Sequence, residues 1–71
     1  MRTVPWRAAY VQHFIHEAVA RGWTEANARG WADEISEESY LHSLILGTGP
    51  KQQAEIDIIE CEREYNSITF N

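Results

Sequence analysis

The chain has 71 residues, enough for one domain, and a formal net charge of −5 from six Lys/Arg against eleven Asp/Glu. Chains of this length bury only about 60% of the surface that their unfolded state exposes, so a single copy has a thin core. The acidic balance argues against direct binding to DNA or RNA, whose affinity comes mostly from cations neutralising phosphates, and favours a partner with a basic surface.

The first helix is expected to start near Val4 and Pro5, since proline is tolerated in a first turn, and to end at Gly22 in a left-handed C-terminal position. Arg21 falls in its last turn, where the helix dipole favours a cation. Val4, Ala8, Val11, Ile15 and Ala18 recur at spacings of four, three, four and three, which predicts the core-facing stripe. Trp6, Tyr10 and Phe14 form a separate i, i+4 row that widens the apolar face toward His13 and Glu17. Trp6 and Tyr10 are the expected aromatic anchors for a partner protein.

Thr24 is the predicted N-cap of the second helix, with Glu25 in the first turn and Trp23 placed to pack onto Ala28. Ala28, Trp31, Ala32 and Ile35 mark one face, whereas Asp33, Glu34, Glu37 and Glu38 occupy much of the rest. Gly30, with Ala26, is a candidate point of close helix approach. Beyond Ser39, Leu41, Leu44 and Ile45 lie about 140° from the earlier stripe if one helix runs unbroken to Leu46. Either the helix splits near Ser39, or a single helix packs on one neighbour early and another late. The lack of glycine and proline between Trp31 and Leu46 favours the single helix.

Gly47-Thr48-Gly49-Pro50 predicts a tight connection into a third helix from about Pro50 to Tyr65, ending around Asn66 and Ser67. Ala54, Ile58, Cys61 and Tyr65 form one stripe, while Ile56 and Ile59 point roughly 120 to 180° away. One helix thus has two apolar faces to cover. Ile68-Thr69-Phe70 has a strand-like composition within an expected C-terminal tail, residues 66–71. Together these signals predict a single all-α domain over residues 1–71, with three helices in a small orthogonal or bundle-like arrangement. Leu41, Leu44, Ile45, Ile56 and Ile59 would complete it by packing on a second copy as a homodimer.

His13, His16 and Glu17 share a helix surface that could offer two imidazoles and a carboxylate to zinc. The order His-x-x-His-Glu matches no metalloprotease motif, however, and no metal or other cofactor is expected. His42 follows Glu38 by four residues and reads as a structural histidine with a hydrogen-bond partner. Cys61, the only cysteine, sits in the main stripe of the third helix between Glu60 and Glu62, a field that disfavours a thiolate nucleophile. A lone cysteine fits a reducing compartment. The residues from Met1 onward lack the apolar core of a signal peptide, and Leu44-Ile45-Leu46 is far shorter than the roughly 20 residues of a membrane span. A cytoplasmic location without membrane contact is expected.

The acidity is uneven, with residues 1–22 carrying +2, residues 23–46 −4 and residues 47–71 −3. Asp33/Glu37, Glu34/Glu38 and Glu60/Glu64 place like charges at i, i+4, where they repel by a few tenths of a kcal/mol. Stability alone does not account for that pattern. Against a basic groove on another protein, such carboxylates can stand in for phosphates and gain long-range steering. The expected function is therefore a small acidic, non-enzymatic protein-binding module that blocks or modulates a larger intracellular machine. Its class analogues are phage or mobile-element inhibitors of host nucleic-acid enzymes and defence complexes. Trp6, Tyr10, Asp33, Glu34, Glu37 and Glu38 are the expected partner-binding residues. An antitoxin-like or chaperone-like regulatory partner of a cognate protein is the alternative, and a metal-dependent enzyme using His13 and His16 is the least supported reading.

Overall fold

Local end signals divide the chain into three helices: α1 (Trp6–Ala20), α2 (Glu25–Leu46) and α3 (Pro50–Thr69). The computed structural model describes the backbone of residues 5–69 and the side chains of residues 5–64. Val4, the side chain of Tyr65, and Phe70 lie outside the described residues.

Gly22 closes α1 with a positive φ of 100°. The Trp23 amide donates to the Ala18 carbonyl and the Gly22 amide to that of Val19, the paired bonds of a Schellman turn. Trp23 is thereby folded back so that its ring meets Phe14 edge-on at 5.8 Å. Thr24 caps α2 as expected, its side chain accepting from the Asn27 amide. Gly47, at φ 73°, ends α2, and three residues later Pro50 opens α3. The backbone of α3 continues to Thr69, past the end expected near Asn66, so Ile68 and Thr69 are helical despite their strand-like composition.

Trp6 lies against Tyr40, whereas Phe14 lies against Trp23, so α1 runs antiparallel to α2. Tyr10 meets Asp57 and Arg21 meets Glu62, so α1 and α3 run in the same direction. The result is an up-down-up bundle of three helices. Helix α1 packs along both of the others, while α2 and α3 touch little.

The core differs from its predicted centre. Tyr10, Phe14 and Ala18 are wholly buried, Val11 and Ile15 pack at the flank, and Ala8 is exposed. The i, i+4 aromatic row, expected at the edge, is thus the middle of the core. The reason lies in the opposing surfaces: α2 turns Ala28, Ala32, Ser36, Ser39 and Ser43 inward, and α3 offers Ala54 and Ile58. Small side chains make shallow faces, into which large rings fit better than valine or isoleucine would. Trp6 stacks on Tyr10 with ring centroids 5.2 Å apart, and Tyr10 is followed by Phe14 at 5.8 Å.

The same serines explain why α2 is unbroken. Its inward face at spacings of four, four, three and four continues through Ser36, Ser39 and Ser43, so the helix neither splits near Ser39 nor turns its later apolar residues to a second neighbour. Gly30 is exposed, and a methyl group added there would meet no atom within 4 Å, so it marks no close approach. Replacing an unneeded helical glycine restricts the unfolded chain. Gly30→Ala is expected to raise stability by about 0.4–1 kcal/mol in urea unfolding, whereas Ala32→Leu, which forces α1 from α2, should lower it by about 1–3 kcal/mol.

Candidate functional site

Among the described residues a polar cluster joins Tyr10 of α1, Ser39 of α2 and Gln53 and Asp57 of α3. Asp57 on α3 accepts through Oδ2 from the Tyr10 hydroxyl at 2.6 Å and from Ser39 Oγ at 2.6 Å. Its Oδ1 accepts from Gln53 Nε2 at 3.0 Å, and Gln53 Oε1 in turn accepts from the Thr48 hydroxyl at 2.7 Å. All three helices and the α2–α3 connection therefore meet at one carboxylate. Among the described residues no buried side-chain polar atom lacks a partner. Burial, and secondarily the neighbouring Asp57 carboxylate, push the Tyr10 hydroxyl far above its ordinary value of 10.0.

The hydrogen bonds of this cluster tie the three helices together, and it reaches the surface where Ser39 and Asp57 line the groove between α2 and α3. It also removes Tyr10 from the set of partner anchors, since its ring is wholly buried and its hydroxyl is bonded within the fold. Trp6 is half-buried between Tyr10 and Tyr40. Asp57 and Gln53 went unmarked in the sequence, and Ser39 stood out only as a possible helix break, because a search for apolar periodicity passes over polar residues on an inward face.

On the surface, Asp33, Glu34, Glu37 and Glu38 are all exposed. They do not form one face. Asp33 and Glu38, five residues apart, point about 140° from each other around the helix axis. Asp33 borders a shallow depression with Arg7, Ala8, Val11 and Ser36, on the α1 side. There Arg7 donates to Ser36 Oγ at 3.0 Å. Glu38 lies on the other side, facing α3.

Because α2 and α3 barely touch, an open groove separates them. Its wider part, of about 460 Å³, is lined by Trp23, Thr24, Asn27, Trp31, Cys61 and Glu62. Its narrower part, of about 300 Å³, shares Trp31 and Cys61 and adds Ile35, Glu38, His42, Asp57, Glu60 and Glu64. At the wide end Glu62 pairs with Arg21 and accepts from the Trp23 indole at 3.3 Å, which fixes that corner to α1. Cys61 is half-buried, and burial first, then Asp57, Glu64, Glu60 and Glu62, raise its thiol above the ordinary value. The thiol is held protonated, as its acidic flanks implied. His42, expected beside Glu38, is exposed at the groove.

The apolar surplus predicted by the sequence is present. Leu41, Leu44, Ile45 and Leu46 are 54, 64, 81 and 66% exposed at the end of α2, and Ile59 is 44% exposed on α3. Ile56 is half-buried. Ile56 and Ile59 lie about 160° and 140° from Ala54 around α3, so they face away from the core on a different helix from the leucines. The five residues expected at a dimer interface are therefore split between two outward faces. Leu46, unnoticed in the periodicity, joins the α2 group because the chain turns away at Gly47 immediately after it.

His13 and His16 are exposed on α1, while Glu17 is engaged by Arg21 at 3.8 Å. Among the described residues no three His, Cys, Asp or Glu side chains converge as a metal site would require. No helix among them is long and apolar enough to cross a membrane. Comparison of the chain with protein-family models, characterised proteins and solved structures yields no match.

The Tyr10–Asp57 contact makes a measurable demand on pH. A tyrosine whose folded-state pKa is raised adds stability that is intact below its unfolded value and lost above it, because the unfolded chain ionises first. Stability should therefore fall above about pH 10, by at most about 1.4 kcal/mol per pH unit from this group. Tyr10→Phe should lower stability at pH 7 by about 1.5–3 kcal/mol, the range for a hydrogen bond to a charged group. Denaturant curves from pH 7 to 11.5 test both points. The variant's alkaline loss should be the shallower, and equal slopes would remove Tyr10 as the cause.

Proposed function

We propose that this chain is a non-enzymatic protein-binding module, joined to a second copy through the apolar end of α2 and offering its carboxylates to a partner with a basic surface. The observation that carries the reading is the exposure of Leu44, Ile45 and Leu46 at 64, 81 and 66%. Contiguous apolar surface of this kind on a small domain marks an interaction site, since a thin core leaves little reason to spend aliphatic residues outside it.

The charge distribution suits a self-contact at that end. The 16 residues from Ser39 to Ala54 contain no Asp or Glu, although the chain has eleven. Two copies, each carrying −5 overall, can meet there without opposing carboxylates. The acidic residues of α2 and α3 are thereby left to face outward, where they raise the encounter rate with a positively charged target. Such a module would work by occupying a surface of a larger protein machine and blocking or modulating it, from within the cytoplasm and without metal, cofactor, nucleic acid or membrane.

Sedimentation velocity over a concentration series tests the assembly. The wild type should sediment at twice the chain mass at tens of micromolar, and Leu44→Glu/Ile45→Glu should sediment as a monomer with an unchanged melting temperature. A wild type that stays monomeric throughout that range refutes the dimer. Affinity capture from the source cells, with wild type against Glu34→Lys/Glu38→Lys, tests the acidic contact: a basic partner should be retained by the first and lost by the second.

A further inference from the structure

We infer that the groove between α2 and α3 is a docking site for a basic amphipathic helix. The inference rests on the protein-binding reading above, and it adds where the partner is held and what form its segment takes.

Three features of the groove select that occupant. The first is length. Helix α2 lines it from Asn27 to His42, about 22 Å at 1.5 Å per residue, which matches a bound helix of about fifteen residues. The second is its floor. Trp31 and Ile35 are four residues apart on α2, so they lie one above the other on the same face, and Cys61 faces them from α3. Trp31 is 42% exposed although it stands between two parts of the cavity, and an indole in that position is an apolar contact without a cover. An amphipathic helix laid in a groove contributes anchors at the complementary spacing of three and four residues.

The third feature is charge. Glu38 follows Trp31 and Ile35 on the same stripe of α2, Glu60 and Glu64 stand opposite on α3, and no lysine or arginine lines either part. Asp57 and Glu62 add negative charge beneath, though both are engaged within the fold. A groove whose few apolar residues stand among carboxylates is complementary to a helix that carries both apolar residues and lysines or arginines on its contact face. An acidic or neutral helix would leave Glu60 and Glu64 facing like charge or nothing.

The groove lies beside a direct contact between the two helices: Ser39 on α2 donates to Asp57 on α3 at 2.6 Å, and both residues line its narrower part.

The test uses the purified full chain and two synthetic fourteen-residue peptides, LKKLLKLLKKLLKL and the same sequence with every lysine replaced by glutamate. Calorimetric titration at low salt should show saturable binding of the lysine peptide and none of the glutamate peptide. Trp31→Ala and Glu60→Lys/Glu64→Lys should each weaken binding about tenfold or more, since a central aromatic anchor and paired rim charges carry such effects. All three altered residues are exposed, and circular dichroism should show unchanged helicity and melting temperature for both variants. Amide shifts on binding should cluster at Trp31, Ile35, His42, Cys61 and Glu64.

Equal affinity of wild type and both variants, or shifts confined to Leu41–Leu46, would overturn the groove assignment while leaving the protein-binding reading in place. So would groove shifts that depend on protein concentration in the absence of peptide, which would assign the space to a second copy. Peptide binding in the groove by a protein that sediments as a monomer would uphold this site and refute only the dimer.

Discussion

The fold depends on one carboxylate. Asp57 sits where α1, α2 and α3 converge, and it accepts from Tyr10, Ser39 and Gln53 at 2.6, 2.6 and 3.0 Å. A carboxylate withdrawn from water without donors is strongly destabilising, because its charge loses solvation that apolar neighbours cannot replace. Three donors meet that demand here: Gln53 from the preceding turn of α3 itself, and Tyr10 and Ser39 from α1 and α2, which reach it only when those helices stand in register with α3. Apolar packing in a core with four alanines among its seven wholly buried hydrophobic residues would tolerate sliding, since alanine faces have few features to lock. The polar node gives the bundle its register along the helix axes.

That node also explains the uneven packing of the bundle. Large rings on α1 fill the shallow alanine and serine faces of both neighbours, so α1 is covered on two sides. With those faces spent on α1, α2 and α3 have little left to offer one another. Their adjoining edges instead carry Trp31, Ile35 and His42 on one side and Glu60, Cys61 and Glu64 on the other. The groove and the core are two consequences of the same choice of residue sizes.

Helix count, the all-α class and the helix ends other than that of α3 were legible in the sequence because each depends on local chemistry. Thr24, Gly22, Gly47 and Pro50 act within a turn of where they stand, and their effects need no knowledge of the rest of the chain. The facing of the helices was less legible. Val11 and Ile15 carry no polar atom, yet Tyr10 takes the centre, where Asp57, distant in sequence, accepts from its hydroxyl. A split near Ser39 was one of two readings of α2, whereas Ser36, Ser39 and Ser43 continue its inward face: Ser36 and Ser43 return their hydroxyls to the Asp33 and Tyr40 carbonyls, and Ser39 gives its own to Asp57. A serine that bonds back to its own helix is nearly an alanine in size and in demand for partners. The spacing of small residues, taken without regard to polarity, was the signal that would have located the inward face of α2.

The separation of apolar and acidic surface follows from this geometry. Residues of α2 that face α1 are small, so the larger aliphatic residues of its last turns, Leu41, Leu44, Ile45 and Leu46, fell on surface that the monomer does not cover. Had they been interspersed with carboxylates, each would have been shielded from a second apolar surface by charge that is costly to desolvate. Instead Leu41, Leu44, Ile45 and Leu46 lie in a stretch from Ser39 to Ala54 free of Asp and Glu, and the carboxylates are gathered to either side of it. One molecule thus presents two surfaces of opposite character, an apolar end without carboxylates and an acidic groove. On the proposed reading the first serves assembly and the second a different partner, because like charge opposes self-contact between α2 and α3 but not at the end of α2.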